Sequence, residues 1–190
     1  MKNLKILALI PARGNSKRIK NKNLRNLNGK PLIFWSIDAA KKSKYIKEIC
    51  VTSDSQAILE YSKKQKIKTI LRPKKLANDI IHAEKAMIHA YRFLNEKFDY
   101  VIMLQPTSPL RATTHIDKAI EKIYYSKKDS LLSVCENSYF IWKKSKNNFH
   151  PINYDLKKRP RHQDVNFYQE NGAIYITKPN ILLKNKNRLG

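Results

Sequence analysis

Short apolar runs alternate with amphipathic stretches along most of the chain. Residues 6–10 (ILALI) form a continuous apolar run that stops at Pro11, which is typical of a strand buried on both faces. A segment beginning at Pro31 repeats its apolar residues at helical spacing, and proline in a first turn favours a helix start. The same patterns predict strands at 48–53, 68–71, 100–105, 130–135 and 173–177 and helices at 55–65, 83–95 and 114–125, the last with Thr114 as N-cap.

This alternation of strands and helices predicts the fold class. Helices of about 10–15 residues between strands are typical of βαβ units. We expect a three-layer α/β/α fold with a mainly parallel, Rossmann-like sheet, and the length of 190 residues suits a single domain. Residues 136–169 are polar and aromatic and break the alternation, so we expect an inserted hairpin or arm there.

The chain is strongly basic, with a formal net charge of +24. Such a charge is found in nucleic-acid-binding modules and in proteins of membrane surfaces. Here 30 of the 39 basic residues are lysines, scattered over every segment with many Asn and Ile, the residues that an AT-rich genome over-supplies. No motif interleaves aromatic and basic residues as RNA-binding modules do. A nucleic-acid-binding module is therefore the weaker alternative. We expect no nucleic-acid partner, and the rarer arginines are the better guide to chemistry.

The sequence predicts a protein of the reducing cytoplasm that does not enter membranes. No apolar run approaches the ~20 residues of a membrane-spanning helix. Cys50 and Cys135 give neither a disulfide framework nor a metal-binding spacing, and the histidines show no metal-binding spacing either.

The first predicted strand runs into a basic loop, IPARGNSKR (10–18), which KNKNL (20–24) follows. Ligands of open parallel sheets bind beyond the carboxyl ends of the strands, where this loop lies. Gly14 allows backbone N–H groups to approach an anion closely. Neither a P-loop nor a G-x-G-x-x-G pattern is present. On charge alone, a triphosphate site and an exposed lysine-rich loop are equal alternatives. The cationic side chains of this stretch are Arg13, Lys17, Arg18, Lys20 and Lys22.

Two further loops follow predicted strands. LRPKKLAND (71–79) places Arg72 directly after one strand, and LQPTSPLR (104–111) places Gln105, Thr107 and Ser108 after another. Prolines stiffen both loops, although the second is also compatible with a plain turn before a helix. Three rigid polar loops at three strand ends together favour one shared binding site.

These motifs, with ENGAIYI at 170–176, resemble those of the CMP-sialic acid synthetases, the acylneuraminate and nonulosonic acid cytidylyltransferases. The resemblance runs in order from residue 5 to about residue 188. It implies a nucleotidyltransferase fold and the transfer of CMP from CTP to the anomeric hydroxyl of a nine-carbon keto-acid sugar, with release of pyrophosphate. It also implies a Mg²⁺ cofactor and a homodimer in which the arm at 136–169 reaches toward a partner.

The resemblance also implies roles for individual residues. Arg13 and Lys22 would offset the charge that develops on the α-phosphate and the pyrophosphate during catalysis. The other nucleotide-binding residues would be Gly14, Asn15, Ser16, Asn23 and Arg72. The sugar-binding residues would be Gln105, Thr107, Ser108, Lys143, Arg161 and Tyr175. From the residues alone, Arg161 equally suits an exposed basic arm, and Tyr175 alternates with isoleucines as a packing residue does.

The sequence departs from the family at its carboxyl end. The family continues beyond the NRLG at 187–190 with an acidic segment that supplies Asp ligands for Mg²⁺, and no Asp-x-Asp occurs in this chain. We therefore expect a chain truncated relative to the family, and a catalytically silent nucleotide-binding fragment is the alternative to an active enzyme. No general base stands out, because Asp54 and Asp79 equally suit helix caps. The central prediction is that Arg13 and Lys22 share one cleft with Arg72 and Gln105.

Overall fold

Within the residues that the computed structural model describes (4–14, 16, 18–77 and 82–190), one mixed sheet of six strands forms the centre of the fold. The strands are β1 (Ile6–Pro11), β2 (Asn26–Leu27), β3 (Lys30–Pro31), β4 (Ile46–Ser53), β5 (Lys68–Leu71), β6 (Tyr100–Met103), β7 (Ser130–Asn137), β8 (Trp142–Ser145), β9 (Asn148–Pro151) and β10 (Phe167–Thr177). The helices are α1 (Leu32–Lys41), α2 (Gln56–Lys64), α3 (Ala83–Leu94), α4 (Thr113–Ser126) and α5 (Pro179–Asn185).

The strand order is β5-β4-β1-β6-β10-β7. β1 pairs in parallel with both β4 and β6, and β4 pairs in parallel with β5, whereas β10 runs antiparallel to β6. The carboxyl ends of β1, β4, β5 and β6 therefore meet at one edge of the sheet, and the predicted mainly parallel α/β class is confirmed.

Helices cover both faces of the sheet because its central strands are apolar on both sides. In β1, Ile6 and Ile10 belong to one core cluster and Leu7 and Leu9 to the other, and all are fully buried. The first cluster contains residues of α1, α2 and α4, and the second contains residues of α3 and α5. The predicted three layers follow from these two clusters. In the described part of the chain, none of the helices is both long and apolar enough to cross a bilayer.

The predicted helix cap at Thr114 is wrong. The N-cap residue is Ala112, whose backbone N–H donates to Nδ1 of His115 at 3.3 Å. Thr113 lies in the first turn and donates its hydroxyl to the carbonyl of Ala39 at 3.2 Å. The Thr113 hydroxyl thus joins α4 to α1, whereas a threonine at the start of a helix often caps that helix.

Residues Val134–Asn171 form a second compact unit, close to the predicted insertion at 136–169. Within it, β8 and β9 pair as an antiparallel hairpin. Phe140 contacts the rings of Tyr154 and His162, with centroids 4.7 and 4.5 Å apart. The guanidinium of Arg159 lies 4.7 Å from the centre of the Phe140 ring. Phe140 and Tyr154, two of the aromatic residues of this segment, therefore pack against each other inside this unit.

Candidate functional site

A cavity of about 300 Å³ opens at the carboxyl ends of β1, β5 and β6. Its walls combine cationic side chains with neutral polar ones, and the amino end of α3 closes one side. The lining residues are Pro11, Arg13, Ser16, Lys22, Asn23, Arg72, Leu76, Ala77, His82, Ala83, Ala86, Gln105, Pro106 and Thr107. The sequence-based prediction that Arg13, Lys22, Arg72 and Gln105 share one cleft agrees with this geometry.

Backbone contacts hold the loop after β1 against the neighbouring strand end. Gly14 donates its N–H to Oδ1 of Asp54 at 3.0 Å, and Asn23 donates from Nδ2 to the carbonyl of Arg13 at 2.9 Å. A Cβ at position 14 would lie only 2.6 Å from Cβ of Ser55. Glycine is therefore required at position 14 because the loop passes so close to the start of α2.

Arg72 brings a buried positive charge to the same cavity. Its side chain is 6% exposed, and its Nη2 lies 3.5 Å from Oδ1 of Asp54. Burial lowers the pKa of the guanidinium, the Asp54 carboxylate opposes that shift, and the nearby Arg13 charge adds to it. The buried Arg72 charge, with the Arg13 charge close by, marks a place where a bound anion is stabilised.

Two buried polar atoms beside this charge have no hydrogen-bond partner among the described residues. They are Oγ of Ser16 and Nε of Arg72, and both residues line the cavity. Buried donors are normally paired, since leaving one unpaired costs about 1–3 kcal/mol. A ligand with acceptor oxygens, such as a phosphate, would satisfy both atoms.

The loop after β6, where Gln105 and Thr107 lie, also lines the cavity. Thr107 donates its hydroxyl to Oε1 of Gln105 at 3.5 Å, and the backbone N–H of Ser108 donates to the Gln105 carbonyl at 3.2 Å. Behind this loop, Arg111 is 5% exposed and donates to the same carbonyl at 3.2 Å. The loop is therefore a rigid polar surface fixed from its buried side.

Some of the predicted site residues line the cavity, and the others lie elsewhere. Ser108 supports the loop after β6 through its backbone, and Gly14 donates its backbone N–H to Asp54. Tyr175 is 3% exposed in the core, with the guanidinium of Arg188 over its ring at 4.3 Å. Asn15 lies outside the described residues. The predicted residues that line the cavity are Arg13, Ser16, Lys22, Asn23, Arg72, Gln105 and Thr107.

Lys143 and Arg161 belong to the second compact unit. Lys143 lies on β8 opposite His150, and Arg161 pairs with Asp164 at 2.9 Å. The proposed contact of these two residues with the sugar stays a prediction of the resemblance.

Two features of the site escaped the sequence analysis. The amino end of α3 contributes His82, Ala83 and Ala86 to the cavity. The two alanines give no chemical signal in a sequence, and His82 has no metal-binding spacing that would single it out. Arg111 is the other, although it ends the LQPTSPLR motif. A lone arginine beside prolines and leucine was a usable signal, because the chain has few arginines among its many lysines.

The described residues do not form a cage for the Mg²⁺ that the resemblance implies. No three His, Cys, Asp or Glu side chains of the described chain lie close enough together to hold a metal ion. Asp54 accepts from Gly14 and pairs with Arg72, so its Oδ1 is already engaged. Asp79, the other acidic candidate, lies outside the described residues. Mg²⁺ prefers carboxylate and phosphate oxygens, and magnesium binding stays a prediction.

A mainly parallel α/β sheet with a cationic cavity at its carboxyl edge defines a nucleotide-binding class of protein. The chain belongs to the cytidylyltransferase family, whose model matches residues 7–189. The family predicted from the sequence motifs is thereby confirmed.

Curated relatives are about one third identical to this chain over the aligned residues. It is 35% identical to the CMP-N,N'-diacetyllegionaminic acid synthase of Legionella pneumophila, over 97% of this chain and 82% of that protein. It is 33% identical to the pseudaminic acid cytidylyltransferase of Campylobacter jejuni, over 91% and 78%. The N-acylneuraminate cytidylyltransferase of Escherichia coli is 32% identical over 98% of this chain, which spans 45% of that protein.

Solved structures share the fold at lower identity. A CMP:2-keto-3-deoxy-manno-octonic acid synthetase complexed with CTP superposes with a TM-score of 0.75 at 17% identity, covering 96% of this chain and 77% of that one. A 4-diphosphocytidyl-2C-methyl-D-erythritol synthase from Anaerococcus prevotii gives a TM-score of 0.70 at 14% identity, covering 97% and 75%. These likenesses establish the nucleotidyltransferase type of α/β fold for this chain.

Proposed function

We propose that this chain transfers CMP from CTP to the anomeric hydroxyl of a nonulosonic acid and releases pyrophosphate. The observation that carries the proposal is the composition of the cavity. Arg13, Lys22 and Arg72 line it together with Gln105 and Thr107 of the loop after β6. The cationic side chains suit a polyanion, and the neutral polar side chains suit a polyhydroxylated sugar acid.

The cationic side chains suit the triphosphate. In the reaction, the anomeric oxygen forms a bond to the α-phosphorus, and the bond from that phosphorus to the oxygen bridging to the β-phosphate breaks. Pyrophosphate leaves with that oxygen, and the hydroxyl proton passes to water. Such transfers depend mainly on positioning and on neutralising charge as it develops. The Arg72 guanidinium offers a planar fork for phosphate oxygens, and the Lys22 ammonium offers a compact charge. The hydroxyl of Ser16 has no hydrogen-bond partner among the described residues and is an additional donor.

The relatives narrow the choice of sugar to a class. Three of them are named for N-acylneuraminic, legionaminic and pseudaminic acids, and this chain is similarly distant from each. Gln105 and Thr107 offer amide and hydroxyl groups that bind sugar hydroxyls of any of these acids. We therefore propose a nonulosonic acid as the acceptor.

We also propose that the active form is a homodimer in the cytoplasm. The second compact unit carries exposed apolar side chains, among them Tyr139 and Phe149, which suit burial against another chain. Cys50 is buried and Cys135 is exposed, both as free thiols, and an exposed free thiol suits a reducing compartment. Sedimentation of the purified protein over a range of concentrations tests the dimer, and a monomer at all concentrations contradicts it.

The function is tested by combining nucleotide binding with turnover. CTP at about 1 mM is expected to raise the Tm by several degrees, and ATP to raise it less. Pyrophosphate release is then measured with CTP, Mg²⁺ and each of the three acids. Lys22→Gln is expected to lower the turnover at least about a hundredfold. The matched control is Lys64→Gln, at an exposed position of α2 outside the cavity.

The outcomes separate the alternatives. Thermal stabilisation by CTP with pyrophosphate release only in the presence of one acid supports the proposal. Stabilisation without release from any acid supports the catalytically silent fragment. The absence of any CTP effect contradicts the assignment of the cavity to a nucleotide.

A further inference from the structure

Arg111 makes all of its hydrogen bonds to neutral groups beneath the loop after β6. Its Nη1 donates to the carbonyl of Gln105 at 3.2 Å and to the carbonyl of Ala173 at 2.8 Å. Its Nη2 donates to Oγ of Ser36 at 2.7 Å, and that hydroxyl in turn donates to the Gln105 carbonyl at 3.3 Å. The backbone of Gln105 is thus tied to α1 and to β10 through a single guanidinium.

The charge of Arg111 has no acidic partner in the described part of the chain. The side chain is 5% exposed, and burial lowers the pKa of its guanidinium to about 10. A buried charge without a counter-ion is costly, and removing its hydrogen-bonding partners leaves it still less stable. A hydrophobic residue at position 111 would fill the same space without the desolvation cost of a buried charge. We therefore ascribe the role of Arg111 to its N–H donors.

A second contact acts on the side chain of the same glutamine. Gly172 has a φ of +70°, and a Cβ there would lie 3.2 Å from Oε1 of Gln105. Gly172 directly precedes Ala173, whose carbonyl Arg111 holds. The Arg111 contact therefore sets the distance between β10 and the Gln105 amide as well as the position of the Gln105 backbone.

We propose that Arg111 is a positioning residue that orients Gln105 for the acidic sugar. This inference rests on the proposed function. The guanidinium does not line the cavity, so it acts through Gln105 and does not touch substrate. The nucleotide side is held by other contacts, among them those between Asp54 and Gly14 and between Asp54 and Arg72. Replacing Arg111 should consequently weaken the binding of the sugar and leave the binding of CTP nearly unchanged.

The test compares the KM values of the two substrates in Arg111→Lys, Arg111→Met and Ser36→Ala. Lysine keeps the charge but lacks the planar fork whose two terminal nitrogens reach the two carbonyls and the hydroxyl. Both Arg111 variants are expected to raise the KM for the sugar at least about tenfold, while the KM for CTP changes less than about twofold. Ser36→Ala should show the same selectivity with a smaller increase, and it keeps the test available if Arg111→Met does not fold. Arg92→Met, on the exposed surface of α3, is the control.

Chemical rescue provides a second measurement, the sugar KM with added guanidinium ion, which would not change if Arg111 only stabilised the fold. Guanidinium ion at millimolar concentration is expected to lower the sugar KM of Arg111→Gly, and ammonium ion is not. KM values that rise together for both substrates, or that do not change, overturn the positioning role. The wild-type enzyme separates this failure from a failure of the proposed function, because a wild-type protein without CMP transfer refutes the function itself.

Discussion

Two buried arginines, Arg72 lining the cavity and Arg111 behind the loop after β6, have opposite electrostatic surroundings. Arg72 is 6% exposed and pairs with the Asp54 carboxylate, whereas Arg111 is 5% exposed and contacts two carbonyls and a hydroxyl. Burial lowers the pKa of both guanidinium groups, but only that of Arg72 is opposed by a neighbouring acid. Equal burial therefore does not imply equal roles.

The difference separates two uses of the same side chain. Arg72 lines the cavity, and its carboxylate partner reduces the cost of holding a cation there before an anion binds. Arg111 lies behind the cavity wall, where its rigid fork of donors fixes backbone atoms. The Arg72 charge, which faces the ligand cavity, is balanced by the Asp54 carboxylate. The Arg111 guanidinium, which fixes the backbone, donates only to neutral acceptors.

Among the variants that test this difference, Arg72→Met is expected to have the largest effect, which is on CTP binding. The substitution removes a cation from the cavity and leaves the Asp54 carboxylate near the site of the triphosphate. CTP binding is expected to weaken by about a hundredfold, since charge-assisted contacts to phosphate are lost and a repulsion is gained. Isothermal titration calorimetry with CTP measures the change in Kd.

A double variant distinguishes lost attraction from new repulsion. Arg72→Met with Asp54→Asn should recover a part of the lost CTP affinity, because the repelling carboxylate is gone. Arg111→Lys serves as the matched arginine variant and should leave the CTP Kd within about twofold of the wild-type value. An unchanged Kd in Arg72→Met would falsify the role of Arg72 in binding the triphosphate.

A second, smaller effect is expected at the glycine that Asp54 holds. Gly14→Ala places a Cβ 2.6 Å from Cβ of Ser55, so the loop after β1 must shift. The free energy of unfolding should fall by about 1–3 kcal/mol, the usual cost of overpacking. Urea denaturation measures the loss. Ser55→Gly in the same chain removes the opposing Cβ and should restore part of the stability. If the double variant is no more stable than Gly14→Ala, the close approach is not the cause.

Much of the fold could be predicted because its signals are local. The apolar run at 6–10 became β1, and the strand at 68–71 was predicted with its observed bounds. The first residues of β10 were missed, because Phe167–Asn171 are exposed or polar and lack the apolar alternation of a core strand. The short helix α5 (Pro179–Asn185) was also missed, since seven residues give too little periodicity.

The candidate site was predictable where its residues follow strands in short motifs. Arg13, Arg72 and Gln105 converge because parallel strands bring their carboxyl ends together. The role of Arg111 was not predictable in the same way. Its partners Ser36 and Ala173 lie 75 and 62 residues away along the chain, so their approach depends on the packing of α1 and β10. Local patterns contain no information on such distant contacts.

The smallest effect on CTP binding is expected from Asp54→Asn. This substitution leaves Arg72, like Arg111, with no acid opposing the effect of burial. The asparagine Oδ1 can still accept the N–H of Gly14, so the loop keeps its contact while the negative charge disappears. CTP binding should tighten by no more than about threefold, and the free energy of unfolding should fall by about 1 kcal/mol. Calorimetry with CTP and urea denaturation measure the two changes. A fall in turnover beyond about a hundredfold, with CTP binding intact, would instead make Asp54 the general base, the alternative that its place after β4 suggested. Because the pairing of Asp54 with Arg72 already explains why a carboxylate lies there, we expect turnover to persist.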